Sequence, residues 1–241
     1  MLVLGIETST RHASIAISSE TEVVASYELG RGRSQDEVLM PAAQRMLADA
    51  ELSWSQLGGI AVGLGPGLFT GLRVGIATAK ALAQSLNLQI VGLSSLDVLA
   101  YSVRYTRRTI CTCVDARRKE VFWTFYRPMP GGVQRISEFR CAPAEHCVSE
   151  IEARGESVLA VGNGPYLYPH EFERVRDVEI AGISDCTPTA IPLTELAVAR
   201  LLREDSDRLI DVKPLYIRRT DAEMNWDPRR SAAKAEKGNV R

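Results

Sequence analysis

The stretch Gly65-Pro66-Gly67-Leu68-Phe69-Thr70-Gly71-Leu72-Arg73-Val74-Gly75 carries the most information in this 241-residue chain. It follows the apolar run Ile60-Ala61-Val62-Gly63-Leu64, which reads as a buried strand. It leads into residues 74–86, rich in helix formers and free of proline. Gly65 and Gly67 are expected at positive φ around the fixed φ of Pro66, with Thr70 capping the new helix. A strand, a glycine turn and a helix N-terminus together make a loop able to approach an anion or another backbone closely.

Advanced by the helical repeat, Leu72, Gly75, Ile76, Ala79, Leu82, Ala83 and Leu86 fall on one broad side that should pack on a sheet. Arg73, Lys80 and Gln84 form a polar stripe. Val74, Thr78, Ala81 and Ser85 make a third face of small side chains, suited to close approach of a second helix. An ordinary α/β helix with alanine filler reads equally well from this stretch alone.

Composition bounds the function. A net charge of -1 argues against generic capture of nucleic acid, which leaves a basic footprint. Residues 52–72 are uncharged, yet the Gly58-Gly59 pair and Gly65-Pro66-Gly67 break them as a membrane span. Residues 1–7 lack the basic region and apolar core of a signal peptide, so a cytoplasmic location is expected. Five cysteines in this length do not make a disulfide framework, and none has zinc-site spacing with His12, His146 or His170. Reduced, buried thiols are expected.

Along the chain, residues 1–7, 13–18 and 22–29 read as a three-stranded meander. Ser34 is placed to cap a helix bearing Leu39, Ala43 and Met46 at helical spacing, which Pro41 should kink. Ser53 and Gln56 form a capping box ahead of the Ile60 strand. Residues 89–93 are a strand, and Ser94 or Ser95 starts another helix. This is the element order of one ribonuclease-H-like unit. The second half repeats the layout: strand 109–114, charged turn 115–119, strand 120–126, a helix ended by Gly155, and strand 158–161 running into Gly162-Asn163-Gly164. The expected domains are therefore 1–105 and 106–219, with a late helix at 194–203 packing back on the first unit. Residues 220–241 are polar, charged and expected to be disordered.

Two such α/β units facing one another are the actin-like ATPase architecture, with phosphates held between two hairpins. Glu7, Thr8 and Ser9 stand where the first hairpin would be, and Asp115 and Arg117 where the second would be. Gly162 and Gly164 resemble the turn that contacts adenosine. Arg11 and His12 crowd the first tip, so these residues read as a vestigial nucleotide site.

Leu4-Gly5-Ile6-Glu7-Thr8-Ser9, the 65–75 run, Val91-Gly92-Leu93-Ser94-Ser95-Leu96, Asp115-Ala116-Arg117 and Leu215-Tyr216-Ile217-Arg218 together resemble the TsaB (YeaZ) family over about residues 1–219. Leu68 stands where that family's pattern leads one to expect a serine. The resemblance implies a non-catalytic accessory subunit, required for threonylcarbamoyl transfer to adenosine 37 of tRNAs that read codons beginning with A. It implies pairing with a TsaD-type catalytic subunit through helices of the first unit, a TsaE-type ATPase docking on the complex, and tRNA contact that is indirect. TsaD carries metal-binding histidines just after the strand that follows its glycine helix. The matching residues 91–97 here hold none, so no metal site is expected. The interface implied is Val74, Thr78, Ala81 and Ser85 with Leu39, Ala43 and Met46. No cofactor is expected for the chain by itself, with ATP or ADP at the joint between subunits left open, as is a homodimer of the isolated chain. The competing expectation is a stand-alone ATP-dependent phospho- or carbamoyltransferase of the same fold, acting through Glu7 and Asp115.

Overall fold

The computed structural model describes residues 1–30 and 34–218; the tail 220–241, expected to be disordered, lies outside them. In the first half, β1 (Leu2–Glu7), β2 (Ala13–Ser18) and β3 (Val23–Leu29) form the antiparallel meander. Helix α1 (Gln35–Asp49) leads to β4 (Leu57–Gly63), which pairs parallel with β1. Helix α2 (Phe69–Leu86) leads to β5 (Gln89–Leu93), parallel with β4, and α3 (Ser95–Ser102) follows. The sheet order is β3-β2-β1-β4-β5.

The second half contains β6 (Thr109–Arg117), β7 (Glu120–Met129), β8 (Gly132–Arg135), β9 (Arg140–Pro143), α4 (Ala144–Arg154) and β10 (Val158–Val161). The short helices α5 (Gly164–Leu167) and α6 (Pro169–Phe172), strand β11 (Val178–Ile180) and helix α7 (Ala190–Leu201) complete it. Its sheet runs β11-β10-β6-β7-β8, with β9 also on β7. Read from the other edge, this is the path of the first sheet: three antiparallel strands, then two parallel ones. The layout repeats even though the residues do not.

Each sheet is covered on both faces, which is why β1 and β4 read as nearly continuous apolar runs. Leu4, Ile6, Ile15, Ile17, Ile60 and Val62 pack against α1 and α2. On the opposite face Val3, Ala61 and Val91 meet Leu193, Ala197, Val198 and Leu201 of α7. The second sheet buries Cys111, Val121, Trp123 and Phe125 against α4, and Ile110 and Tyr126 against Leu99 and Ala100 of α3. The two halves thus exchange helices. Buried hydroxyls fix α7 in place: Ser14 Oγ accepts from Ala190 N at 2.8 Å, and Thr194 Oγ1 donates to Ser18 Oγ at 2.8 Å. From α7 the chain crosses back over α2 and β4, where Leu215 N donates to Leu64 O at 2.8 Å, and reaches the second half through an Arg218–Glu120 ion pair at 2.7 Å.

Several local expectations are corrected. Helix α2 starts at Phe69 with Leu68 as its N-cap and no side-chain cap bond, so Thr70 lies inside the first turn rather than capping it. Of Gly65 and Gly67, only Gly65 has positive φ, at 90°. Ser34 is the N-cap of α1 but makes no side-chain cap bond. Helix α1 runs through Pro41 unbroken. The proline forgoes one backbone hydrogen bond, while Val38, Leu39, Ala42, Ala43, Met46 and Leu47 on both sides of it keep the helix docked. The late helix spans Ala190–Leu201 rather than 194–203. The Ser53/Gln56 capping box is present.

Candidate functional site

The turn that follows β1 packs against the glycine turn and the start of α2. Gly67, Gly71 and Gly75 recur every four residues and so share one side of α2 and its approach. A Cβ at Gly67 would lie 2.1 Å from Ser9 O, one at Gly71 2.3 Å from Thr8 O, and one at Gly75 2.1 Å from Thr8 Oγ1. This bare stripe seats the backbone of the turn between β1 and β2. Leu68 N donates to Ser9 O at 2.7 Å, and Thr8 Oγ1 donates to Gly71 O at 2.9 Å. From α1, Gln35 Nε2 donates to Thr10 O at 2.8 Å. Of the two uses a glycine loop allows, approach to an anion or to another backbone, this chain adopts the second.

Glu7 is closed into the same assembly at 1 % exposure. Its Oε1 accepts from Ser9 N at 2.7 Å and its Oε2 from Ser95 Oγ at 2.8 Å. Ser95 Oγ also accepts from Gly65 N at 3.2 Å, so the start of α3, the glycine turn and β1 meet at one carboxyl group. Burial raises the Glu7 pKa above its ordinary value of 4.5, against the opposing effect of the hydrogen bonds from Ser9 and Ser95. The folded state therefore holds this proton at pH values where the unfolded chain has lost it. Stability is expected to fall as pH rises from about 4.5 through the raised pKa, then to level off. Glu7→Gln should remove that descending segment, as urea unfolding across this pH range would show; an unchanged pH profile would refute the assignment.

Glu7, Thr8 and Ser9 do not fit a phosphate cradle within this chain. All three side chains are buried at 1 % exposure or less, and the Glu7 and Thr8 groups are committed to internal partners. Ser9 Oγ is buried without a partner. The second hairpin is tighter than a charged turn suggests: Arg117, Arg118 and Lys119 all have positive φ, at 65°, 57° and 63°. Asp115 accepts from Arg117 N at 2.9 Å, and Asn163 Oδ1 accepts from Asp115 N at 2.9 Å. Gly162 and Gly164 press on the middle of β6, where Cβ atoms would meet Cys113 O and Cys113 Sγ, each at 2.3 Å. These residues are brought together, but as packed backbone.

The face expected to meet a partner divides. Val74 and Thr78 are half-buried, and Ala81 and Ser85 are exposed. Leu39, Ala43 and Met46, expected on the same surface, are instead buried in the core between α1, α2 and the first sheet. Helical periodicity shows that such residues share a face but not what covers it. Beside Val74, a cleft of about 560 Å³ opens between the starts of α1 and α2, lined by Thr10, Arg11, Gln35, Phe69, Thr70 and Val74. At its edge Arg73 lies 3.7 Å over the Phe69 ring, and Phe69 sits 5.9 Å from Tyr216. The sequence sets Arg73 in the polar stripe of α2 and Phe69 and Tyr216 in separate motifs, but it does not bring the three together, because Tyr216 is far away in the chain.

Cys111, Cys113 and Cys147 are buried, and burial raises their thiol pKa values; Cys141 and Cys186 are half-buried, and all five are free. Among the described residues no group of three His, Cys, Asp or Glu side chains is placed to hold a metal ion, and no helix is long and apolar enough to cross a membrane.

Two sheets of this strand order, helices exchanged between them and paired hairpins at the strand ends define an actin-like ATPase type of fold. The family model for TsaD, tRNA N6-adenosine threonylcarbamoyltransferase, matches residues 30–152. The TsaB tRNA threonylcarbamoyladenosine biosynthesis protein of Bacillus subtilis is 29% identical over 94% of this chain and 98% of its own length. YeaZ from Pseudomonas aeruginosa superposes with a TM-score of 0.77 at 26% identity, over 90% of this chain and 99% of that one. The activator of 2-hydroxyisocaproyl-CoA dehydratase from Clostridium difficile, at TM-score 0.51 and 11% identity over 86% of this chain and 99% of that one, shares the fold alone. The chain belongs to the threonylcarbamoyltransferase family that this model describes and, within it, to TsaB/YeaZ.

Proposed function

We propose that the chain is the non-catalytic accessory subunit in threonylcarbamoyladenosine formation on tRNA, acting in the cytoplasm by pairing with a TsaD-type catalytic subunit. The observation that carries this reading is the closed hairpin. Glu7 and Thr8 hold the glycine helix in place, while Ala81 and Ser85 on the neighbouring small face of α2 are exposed and Val74 and Thr78 half-exposed. The rigid glycine seam fixes the direction of α2, and Val74, Thr78, Ala81 and Ser85 are the surface it offers. A TsaE-type ATPase docks on the resulting pair, and tRNA is delivered through the catalytic subunit. Any ATP or ADP is shared at the joint between subunits, because the buried first hairpin leaves this chain little with which to hold phosphate alone. Without its partner, the same face can close on a second copy by two-fold symmetry.

The test is size-exclusion chromatography of the chain with and without the catalytic subunit, followed by a tRNA modification assay. Co-elution, no activity for the chain alone and activity restored in the reconstituted set are expected. Modification by the purified chain alone, lost in Glu7→Gln or Asp115→Asn, would overturn the reading in favour of an independent enzyme.

A further inference from the structure

The chain is nearly neutral overall, but its arginines are not evenly spread. A groove of about 560 Å³ lies at the start of β6 and the end of β7, and Arg104, Arg107, Arg108 and Arg127 line it. Three come from the connection between the two halves and the fourth from the far end of a hairpin, so only folding brings them together. Acidic groups answer part of this charge: Arg104 pairs with Glu195 at 3.1 Å, Arg108 pairs with Glu179, and Glu156 lies in the wall, 3.9 Å from Arg154. Among the described residues Arg107 and Arg127 have no carboxylate partner, and both are exposed. Tyr105 projects between Arg104 and Arg107 in the chain at 84 % exposure, with the Arg104 guanidinium 4.6 Å from its ring; the same guanidinium lies 3.9 Å over Tyr101. Like charges gathered in one groove repel each other unless an anion joins them. Two guanidinium groups without carboxylate partners in the groove, and an exposed ring two residues before one of them in the chain, are the chemistry that grips a nucleic-acid backbone and stacks on an unpaired base.

We infer that this groove binds RNA directly, contacting phosphates through Arg107 and Arg127 and a base through Tyr105. The inference rests on the proposed function for naming that RNA as tRNA. It gives the chain a contact of its own, in addition to the one made through the catalytic subunit.

The test is fluorescence anisotropy with a labelled, unmodified tRNA transcript, using the full chain alone and mixed with the catalytic subunit. The double variant Arg107→Glu/Arg127→Glu is expected to weaken tRNA binding at least about tenfold at low salt. Loss of two phosphate contacts should also flatten the plot of log affinity against log salt by roughly 1.5. Tyr105→Ala should weaken binding several-fold and leave the slope unchanged. Both variants should co-elute with the catalytic subunit as the wild type does. Unchanged affinity and slope in the double variant would overturn the inference. So would absence of tRNA binding by the wild type, alone and in the pair, or binding of phosphatidylglycerol vesicles in place of tRNA. Failure of the wild type to pair would instead count against the proposed function, and the measurement on the chain alone would still judge the groove.

Discussion

Gly75→Ala is expected to destabilise the protein by about 3 kcal/mol, although alanine is the better helix former. Inside an exposed helix the exchange would gain up to about 1 kcal/mol. Here the new methyl would stand 2.1 Å from Thr8 Oγ1, and Thr8 is fully buried. Overpacking of this kind costs about 1–3 kcal/mol. Rotating Thr8 away would break its 2.9 Å hydrogen bond to Gly71 O and leave a buried hydroxyl unpaired, at about 1–3 kcal/mol more. The clash outweighs the propensity. Because the obstructing atom is a side-chain oxygen, Thr8→Ala in the same chain should recover much of the loss. Urea unfolding of the wild type, the two single variants and the double variant is expected to show a favourable coupling of about 2 kcal/mol. Additive effects would mean that the glycine at position 75 serves something other than the turn of Thr8.

Ala81→Glu is expected to abolish pairing with the catalytic subunit and leave the chain folded. Ala81 is exposed on α2, so a glutamate there can hydrate in the free protein, and the unfolding midpoint should scarcely move. In a close-packed helical interface the same carboxylate would be buried without a partner, at about 3–5 kcal/mol. That corresponds to at least a hundredfold loss of affinity. Size-exclusion chromatography should show separate elution, and the reconstituted modification rate should fall with it. Ala81→Ser, small and easily hydrated, should pair normally. Co-elution of the glutamate variant would show that another surface carries the contact.

Much of the fold was legible because its signals are local. The glycine turn after an apolar run, the Ser53/Gln56 capping box, the Gly155 stop of α4 and the repeated meander each depend on a few neighbouring residues. The site was less legible. Gly67, Gly71 and Gly75 can be seen at intervals of four in the sequence, but their spacing does not say that the turn of Thr8 and Ser9 fills the stripe. Leu39, Ala43 and Met46 have the periodicity of a packed face, and whether the core or a partner packs on them depends on strands far away in the chain. Arg127 reads as a lone charge at the end of a strand until the fold sets it in the groove with Arg107.

The amino-acid sequence by itself determined the kinds of element, their order, the duplicated layout and the family resemblance, since backbone propensity and apolar spacing act over one or two turns of chain. Only the tertiary structure decided that Glu7 and Thr8 face inward, that α3 and α7 cover each other's sheets, and that four arginines line one groove. Those outcomes depend on which distant surfaces exclude water together, and that is a property of the assembled chain rather than of any segment within it.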